Sequence, residues 1–93
     1  MELKHIESKS ENKFYLLDGD KEIGEMTYVY TEDQTIDLNH TEIDSAYRGQ
    51  SLGQKLINAA IDFLIKNNLK ATASCPYAKK MLERSEQYSA VKV

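Results

Sequence analysis

The sequence has too little cysteine, proline, glycine and unbroken apolar chain for several classes of protein. One cysteine in 93 residues cannot form an internal disulfide, so we expect a protein of a reducing, cytoplasmic environment. One proline and four glycines exclude a fibrous or low-complexity chain. Residues 1–5 lack the cationic start of a signal peptide, and no apolar run approaches the roughly 20 residues that span a bilayer, so we expect no membrane association.

The composition is that of an ordinary globular protein, with 41% hydrophobic and 29% charged residues. Its length predicts a single domain over residues 1–93. The net charge of −3 is uneven, because residues 1–45 carry 4 basic and 12 acidic side chains whereas residues 46–93 carry 8 basic and 3 acidic ones. This asymmetry predicts that the second half faces an anion, although acidic hairpins that only keep the chain soluble would give the same count.

The first half has the pattern of a β-meander. Residues 14–17 are an apolar run that ends at Asp18-Gly19-Asp20, and an Asp-Gly pair between two such runs predicts a hairpin. A second strand follows over residues 23–30, with a bulge or bend indicated at Gly24, and a second turn follows at residues 32–34. Residues 3–7 predict a weaker edge strand. Three alternating residues of the next strand are predicted to face the core: Ile36, Leu38 and His40.

From Leu52 the apolar residues recur three or four positions apart, which predicts an amphipathic helix that ends near Asn67-Asn68. Residues 69–74 predict a short strand parallel to the one over residues 35–43, which makes a right-handed crossover. Pro76 lies where a last helix would begin. Together these elements predict an α+β fold, with a mixed, mostly antiparallel sheet, one parallel β-α-β crossover and a C-terminal helix.

The turn between strand and helix, over residues 47–54, contains the small residues Gly49, Ser51 and Gly53. The backbone N–H groups of such a turn can approach an anion closely, and the first helical turn adds unpaired donors and the positive end of its dipole. The turn is neither a phosphate loop nor a dinucleotide fingerprint, because its glycines are too few and no lysine follows in register. Spacing alone predicts a diphosphate cradle about as well as it predicts a plain helix start.

Residues 48–53, Arg-Gly-Gln-Ser-Leu-Gly, resemble the R/Q-x-x-G-x-G/A signature of the GNAT superfamily of acyl-CoA-dependent N-acetyltransferases, with Ser51 where the signature has glycine. Residues 40–88 resemble its small, single-domain members, through the blocks at 40–43 and 75–77. The resemblance implies a GNAT-like fold and transfer of an acetyl group from acetyl-CoA, the co-substrate, to an amine, with no metal. It also implies the CoA-binding residues, which are Thr41, Ile43, Arg48, Gly49, Gln50, Ser51, Leu52, Gly53, Gln54, Tyr77 and Lys80.

Three side chains are candidates for catalysis. Cys75 would be the N-cap of the last helix, where a thiol has a lowered pKa, and the resemblance implies that it lies beside the acyl thioester. His40 ends a strand that the parallel pairing would bring towards Cys75, so its imidazole could accept a proton from the amine or the thiol. Glu42 is a second candidate base. The alternatives are a buried inert cysteine, a core histidine and a solvated edge carboxylate, respectively.

The acceptor site should be shallow and open, because larger family members build their pocket from extra N-terminal helices and C-terminal strands that this chain has no residues for. Acidic residues on the strands predict a cationic acceptor, such as a polyamine or a lysine-rich peptide. Lys79 and Lys80 are predicted near the adenosine 3′-phosphate. We expect no nucleic-acid partner, because the basic residues are not interleaved with exposed aromatics and the pI is about 5.3. A non-catalytic CoA-binding or interaction module is the alternative function.

Overall fold

The computed structural model describes residues 1–93 as a five-stranded sheet with two α-helices and two short 3₁₀ segments. The strands lie side by side in chain order, antiparallel from the first to the fourth, and the fifth pairs parallel to the fourth. This architecture confirms the predicted α+β fold class. The elements are β1 (Glu2–Glu7), β2 (Asn12–Asp18), β3 (Lys21–Glu32), β4 (Thr35–Ile43), a 3₁₀ turn (Ser45–Tyr47), α1 (Leu52–Lys66), β5 (Lys70–Ala73), α2 (Pro76–Glu83) and a second 3₁₀ segment (Glu86–Ala90).

The turns form where small or amide side chains tolerate a left-handed backbone. Gly19 has a φ of 63° in the two-residue turn between β2 and β3, and Gln34 has a φ of 64° in the turn between β3 and β4. Asn68, with a φ of 57°, follows the end of α1. The two predicted hairpins and the predicted end of the helix are therefore confirmed.

Both helices pack on one face of the sheet, which we call the inner face. One cluster of 19 buried residues joins the inner side chains of β2, β3 and β4 to the apolar sides of α1 and α2. Burial of this apolar surface is the main force that holds helices and sheet together. The opposite, outer face has no helix over it and carries mostly polar and charged side chains. Neither helix has the length and apolar character that crossing a membrane requires.

Three register shifts interrupt the sheet, and the second of them reverses the facing of β4. Ile23 lies between the pairs Leu16 with Gly24 and Leu17 with Glu22, next to the predicted irregularity at Gly24. Asn39 is the second bulge, because Thr27 pairs with His40 while the next residue, Tyr28, pairs with Leu38. The third shift lies at Thr31, between the pairs Tyr30 with Ile36 and Glu32 with Thr35.

The bulge at Asn39 makes the predicted burial of His40 wrong. The prediction assumed that side chains alternate between the two faces along the whole strand. An extra residue in the strand moves every later side chain to the opposite face. Leu38, before the bulge, is buried as predicted, whereas the His40 side chain, after it, is 53% exposed on the outer face. Thr41 and Ile43 take the inward positions instead, opposite Met26 and Gly24.

The edge strand β1 is attached to the core by His5. Its Nε2 lies 2.6 Å from the hydroxyl of Tyr28, its ring stacks on Phe14 at 4.2 Å, and Phe63 of α1 packs edge-on at 4.6 Å. Burial lowers the pKa of His5 from its ordinary value of 6.5, and the nearby Glu7 carboxylate only partly opposes this shift. His5 is therefore neutral at pH 7.

The depressed pKa of His5 should make the fold less stable in mild acid. The unfolded chain takes up a proton near pH 6.5 and the folded chain only at lower pH, so the free energy of unfolding falls as pH drops from 7.5 to 5.5. His5 is exposed at the sheet edge, so solvent screening keeps this loss small. Urea denaturation across this range should show the slope in Tyr28→Phe, which keeps the aromatic stack, and not in His5→Gln. An unchanged slope in His5→Gln would contradict this assignment.

Candidate active site

The site begins where β4 and β5 separate. The two strands pair only from Thr35 with Lys70 to Leu38 with Ala73. One further hydrogen bond, from the Cys75 N–H to the Leu38 carbonyl at 3.1 Å, joins them before the chain turns into α2. Beyond that point β4 continues to Ile43 without a neighbour on this side, so its backbone N–H and C=O groups face a gap.

A cavity of about 440 Å³ occupies the gap between the end of β4 and the start of α1. It brings together most of the predicted CoA-binding residues, which come from three separate parts of the chain. Gln50, Gln54 and Lys80 are not in its wall, and the amide of Gln54 instead donates to Asn58 within α1. The cavity is lined by Thr41, Glu42, Ile43, Tyr47, Arg48, Gly49, Ser51, Leu52, Gly53 and Tyr77.

The turn before α1 has a backbone suited to an anion. Gly49 and Ser51 both adopt left-handed conformations, with φ of 86° and 59°. Ser51 is the N-cap of α1, yet its side chain makes no capping hydrogen bond, so it leaves the N–H groups of the first helical turn unpaired. The guanidinium of Arg48 makes no ion pair within the chain. These features fit the predicted diphosphate cradle.

Gly53 is needed for the close approach of Tyr77. A Cβ on Gly53 would lie 1.9 Å from the Tyr77 hydroxyl oxygen, so any larger residue would have to displace the phenol. Tyr77 belongs to the first turn of α2, and its ring lies over the start of α1 in the cavity wall. The glycine therefore lets the two helices share one wall of the cleft.

Cys75 is the N-cap of α2, as predicted; it is 9% exposed and is not itself in the cavity wall. Its Sγ is 3.6 Å from the hydroxyl of Thr41. Burial raises the pKa of the thiol, but hydrogen bonds from the backbone N–H of Ala78, from Thr41 and from the backbone N–H of Tyr77 together outweigh it and lower the pKa. The donors aimed at the sulfur thus favour a thiolate.

The structure does not bring His40 to Cys75. The end of β4 does approach the cysteine, but Thr41 faces it and His40 lies on the outer face. Glu42 pairs with Glu25 next to His40 and also borders the cavity at the strand edge. The Nε2 of His40 lies 3.5 Å from a Glu42 oxygen and 3.7 Å from a Glu25 oxygen. The expected His–Cys pair is therefore wrong, for the same reason as the expected burial of His40.

Two lysines predicted near the 3′-phosphate lie outside the main cavity. Lys79 lines a different depression, of about 380 Å³, beside β5 and the C-terminal residues. Lys80 is exposed on α2 and contributes to neither wall. Arg48 is thus the one basic side chain in the wall of the main cavity.

No sequence signal indicated one set of residues that supports the turn before α1. The hydroxyl of Tyr47 donates to Asp18 at 2.5 Å, and Lys21 forms an ion pair with Asp44 at 3.3 Å. Asp44 also accepts the N–H of Ala46 at 2.9 Å. The β2–β3 hairpin tip therefore holds the segment that leads into the turn before α1, through contacts between residues more than 20 positions apart.

Comparisons with known proteins agree with this geometry. A family model described as GCN5-related N-acetyl-transferase matches residues 13–91. The protein NATD1 of Danio rerio is 36% identical over 69 residues, which are 74% of this chain and 63% of that protein. NATD1 of Homo sapiens is 37% identical over 60 residues, 64% of this chain and 53% of that one. The chain thus spans between about half and two-thirds of the length of these relatives.

Two solved structures have the same fold. The solution structure of a GCN5-like protein from Staphylococcus aureus superimposes with a TM-score of 0.79 at 36% identity, over 99% of this chain and 87% of that one. An aminoglycoside acetyltransferase from an uncultured soil metagenomic sample, crystallised with trehalose, gives a TM-score of 0.65 at 18% identity, over 85% of this chain and 59% of that one. The second likeness concerns the fold alone.

Ser51 is strained where glycine would not be, and this yields a stability test. A residue with a Cβ costs roughly 1–2 kcal/mol in the left-handed region, of which Ser51→Gly recovers only part because glycine also gives freedom to the unfolded chain. We expect a net gain of about 0.5–1 kcal/mol in urea denaturation. Gln34→Gly, at a similar φ in the β3–β4 turn, should gain a similar amount, and Ser51→Ala should gain nothing. A loss of stability in Ser51→Gly would show that the hydroxyl has a structural contact.

Proposed function

This chain belongs to the GCN5-related N-acetyltransferase family, and on that premise we propose that it transfers an acetyl group from acetyl-CoA to an amine. The observation that carries the proposal is that one cavity runs from the turn before α1 to the end of β4 that has no pairing partner in β5. A diphosphate and an extended thioester arm could then bind in one continuous groove, with the reactive end near Cys75.

The residues of the cavity suit the successive parts of acetyl-CoA. The N–H groups of the first turn of α1 and the free guanidinium of Arg48 would bind the diphosphate. Past Leu38 the unpaired edge of β4 can pair with the amides of the pantetheine arm as a strand would. The inward-facing side chains of Thr41 and Ile43 would contact the same arm.

We propose that Cys75 receives the acetyl group first. Its thiolate would attack the thioester carbonyl carbon, so that a bond to Sγ forms, the bond to the CoA sulfur breaks and CoA leaves as the thiol after taking up a proton. The amine would then attack the acetyl-cysteine and regenerate the thiol. The lowered pKa of Cys75 supports this route, because a larger fraction of the sulfur is already ionised.

His40 and Glu42 would act on the acceptor rather than on the sulfur. Both lie on the outer face, so either could take a proton from an amine that arrives from that side, in the covalent route or in direct attack on acetyl-CoA. Glu25 and Glu42 add negative charge there, which favours a cationic amine. Lys13 partly offsets the charge of Glu25 and Lys21 that of Asp44. Asp37 keeps its charge, because the side chains that donate to it are neutral hydroxyls.

A non-catalytic module that binds CoA is the second candidate. The observation that favours it is the bare outer face, where no element of the chain covers the side from which an acceptor would enter. Such a module would bind CoA and acetyl-CoA alike and release no CoA from the thioester. The two candidates therefore differ in turnover and not in binding.

Incubation with acetyl-CoA separates these candidates. Mass spectrometry of the intact protein should record an acetyl adduct that hydroxylamine removes and that Cys75→Ser lacks. Calorimetry with CoA should show weaker binding by Arg48→Ala, and by Gly53→Asp relative to Gly53→Asn, since a carboxylate at a helix N-terminus repels the diphosphate by about 0.3–2 kcal/mol. Binding without adduct or CoA release would favour the module. The absence of binding would refute the function.

The acidic outer face predicts how acceptors are ranked. A negative surface concentrates cations, so kcat/KM for a polyamine or a lysine-rich peptide should exceed that for a neutral amine and fall as ionic strength rises past about 0.15 M. Glu42→Gln should lower kcat/KM for the cationic acceptor by more than Glu32→Gln, which removes the same charge from the far end of β3. A preference for neutral amines that is insensitive to salt would argue against a cationic acceptor and leave CoA binding intact.

A further inference from the structure

Three potential metal ligands meet on the outer face, on two adjacent strands. Glu25 of β3 is paired directly with Glu42 of β4, and His40 lies two residues before Glu42 on the same face. One atom from each side chain can be chosen so that all three lie within 4.8 Å of one another. His40 and Glu42, two residues apart on β4, and Glu25 on β3 therefore form a triangle of side chains that is accessible to solvent. The backbone hydrogen bonds of the sheet hold that triangle in place.

We propose that Glu25, His40 and Glu42 form a site for a divalent transition-metal ion of the Zn²⁺ type. Bonds of about 2.0–2.1 Å to nitrogen and oxygen place the ligand atoms of a tetrahedral Zn²⁺ ion about 3.3 Å apart. The imidazole Nε2 is 3.5 Å and 3.7 Å from the two carboxylate oxygens, so small side-chain movements complete the geometry. Three protein ligands leave the fourth position to water.

The surrounding charges favour a cation. Lys13 lies beside the site, with Nζ 3.2 Å from the other oxygen of Glu25 and 2.8 Å from Glu22. A third contact, with Glu11 at 3.4 Å, completes its partners. One ammonium thus contacts three carboxylates, and Glu42 adds a fourth carboxylate to the site, so the local charge stays negative before a metal binds. Lys13 also orients Glu25, because it holds one oxygen and leaves Oε2 towards His40.

The donor set selects the kind of ion. An imidazole nitrogen with two carboxylates suits Zn²⁺ or Co²⁺, whereas Mg²⁺ and Ca²⁺ prefer ligand sets of oxygen alone. The site shares Glu42 with the wall of the proposed acetyl-CoA cavity but uses neither Cys75 nor the turn before α1, so metal binding can be tested without acetyl transfer. An ion bound there would occupy the same carboxylates that we propose attract a cationic acceptor.

The test is titration of the full chain with Co²⁺ and with Zn²⁺ alone, in the Cys75→Ser background so that the thiol cannot contribute a ligand. We expect one Co²⁺ per chain, with the intense visible absorption of four-coordinate cobalt, and its displacement by one equivalent of Zn²⁺. His40→Gln and Glu25→Gln should each weaken binding by at least about tenfold, while Glu32→Gln and His5→Gln should change it less than twofold. Circular dichroism would verify that every variant is folded.

Two results would overturn the proposal. Binding that His40→Gln leaves unchanged, or that Glu32→Gln weakens as much as Glu25→Gln, would mean general attraction to an acidic surface. The weak pink spectrum of hexaaqua cobalt throughout the titration would mean that the three side chains form only an ion-paired cluster. Amide NMR shifts confined to residues near 25, 40 and 42 on addition of Zn²⁺ would support the site independently of the cobalt spectrum.

Discussion

The separation of β4 from β5 is the constraint on which the rest of the site depends. Only four residue pairs and the bond from Cys75 to the Leu38 carbonyl join the two strands, and the chain then turns away into α2. That departure leaves a strand edge unpaired inside the molecule, which is costly unless a ligand or solvent completes it. It also fixes Cys75 at the start of α2, where backbone N–H groups meet its sulfur. The turn of the chain into α2 thus produces both the gap beside β4 and the environment of the Cys75 thiol.

Because helices cover only one face of the sheet, the two faces have different requirements. The inner face holds the whole apolar core and the cavity, whereas the outer face must be compatible with water. Lys13 illustrates the consequence, because its stem is largely buried on the outer face while three glutamates satisfy its ammonium. Charged side chains that would be excluded beneath a helix can therefore gather opposite the cleft.

The element order and turns could be predicted because they rest on local signals: the Asp-Gly pair, the helical period from Leu52 and Pro76 at a helix start. Most residues of the cavity wall were implied by the resemblance to the GNAT signature, whereas spacing alone left the diphosphate cradle undecided. The facing of His40 could not be predicted, because a bulge depends on how β3 and β4 pair and leaves no mark in the sequence of β4 alone. The bond between Tyr47 and Asp18 was likewise invisible, since only the folded sheet brings the hairpin tip to the turn.

The bulge at Asn39 also determines which groups surround the sulfur of Cys75. Had the alternation of β4 continued, an imidazole would face Cys75 and Thr41 would face solvent; instead, a hydroxyl and backbone N–H groups surround the sulfur. Donors of this kind stabilise a thiolate without accepting its proton, so that proton would have to pass to solvent or to the departing CoA. The imidazole is then left on the side from which an amine would come. In the covalent route, activation of the sulfur and deprotonation of the acceptor would therefore fall to groups on opposite faces of the same strand.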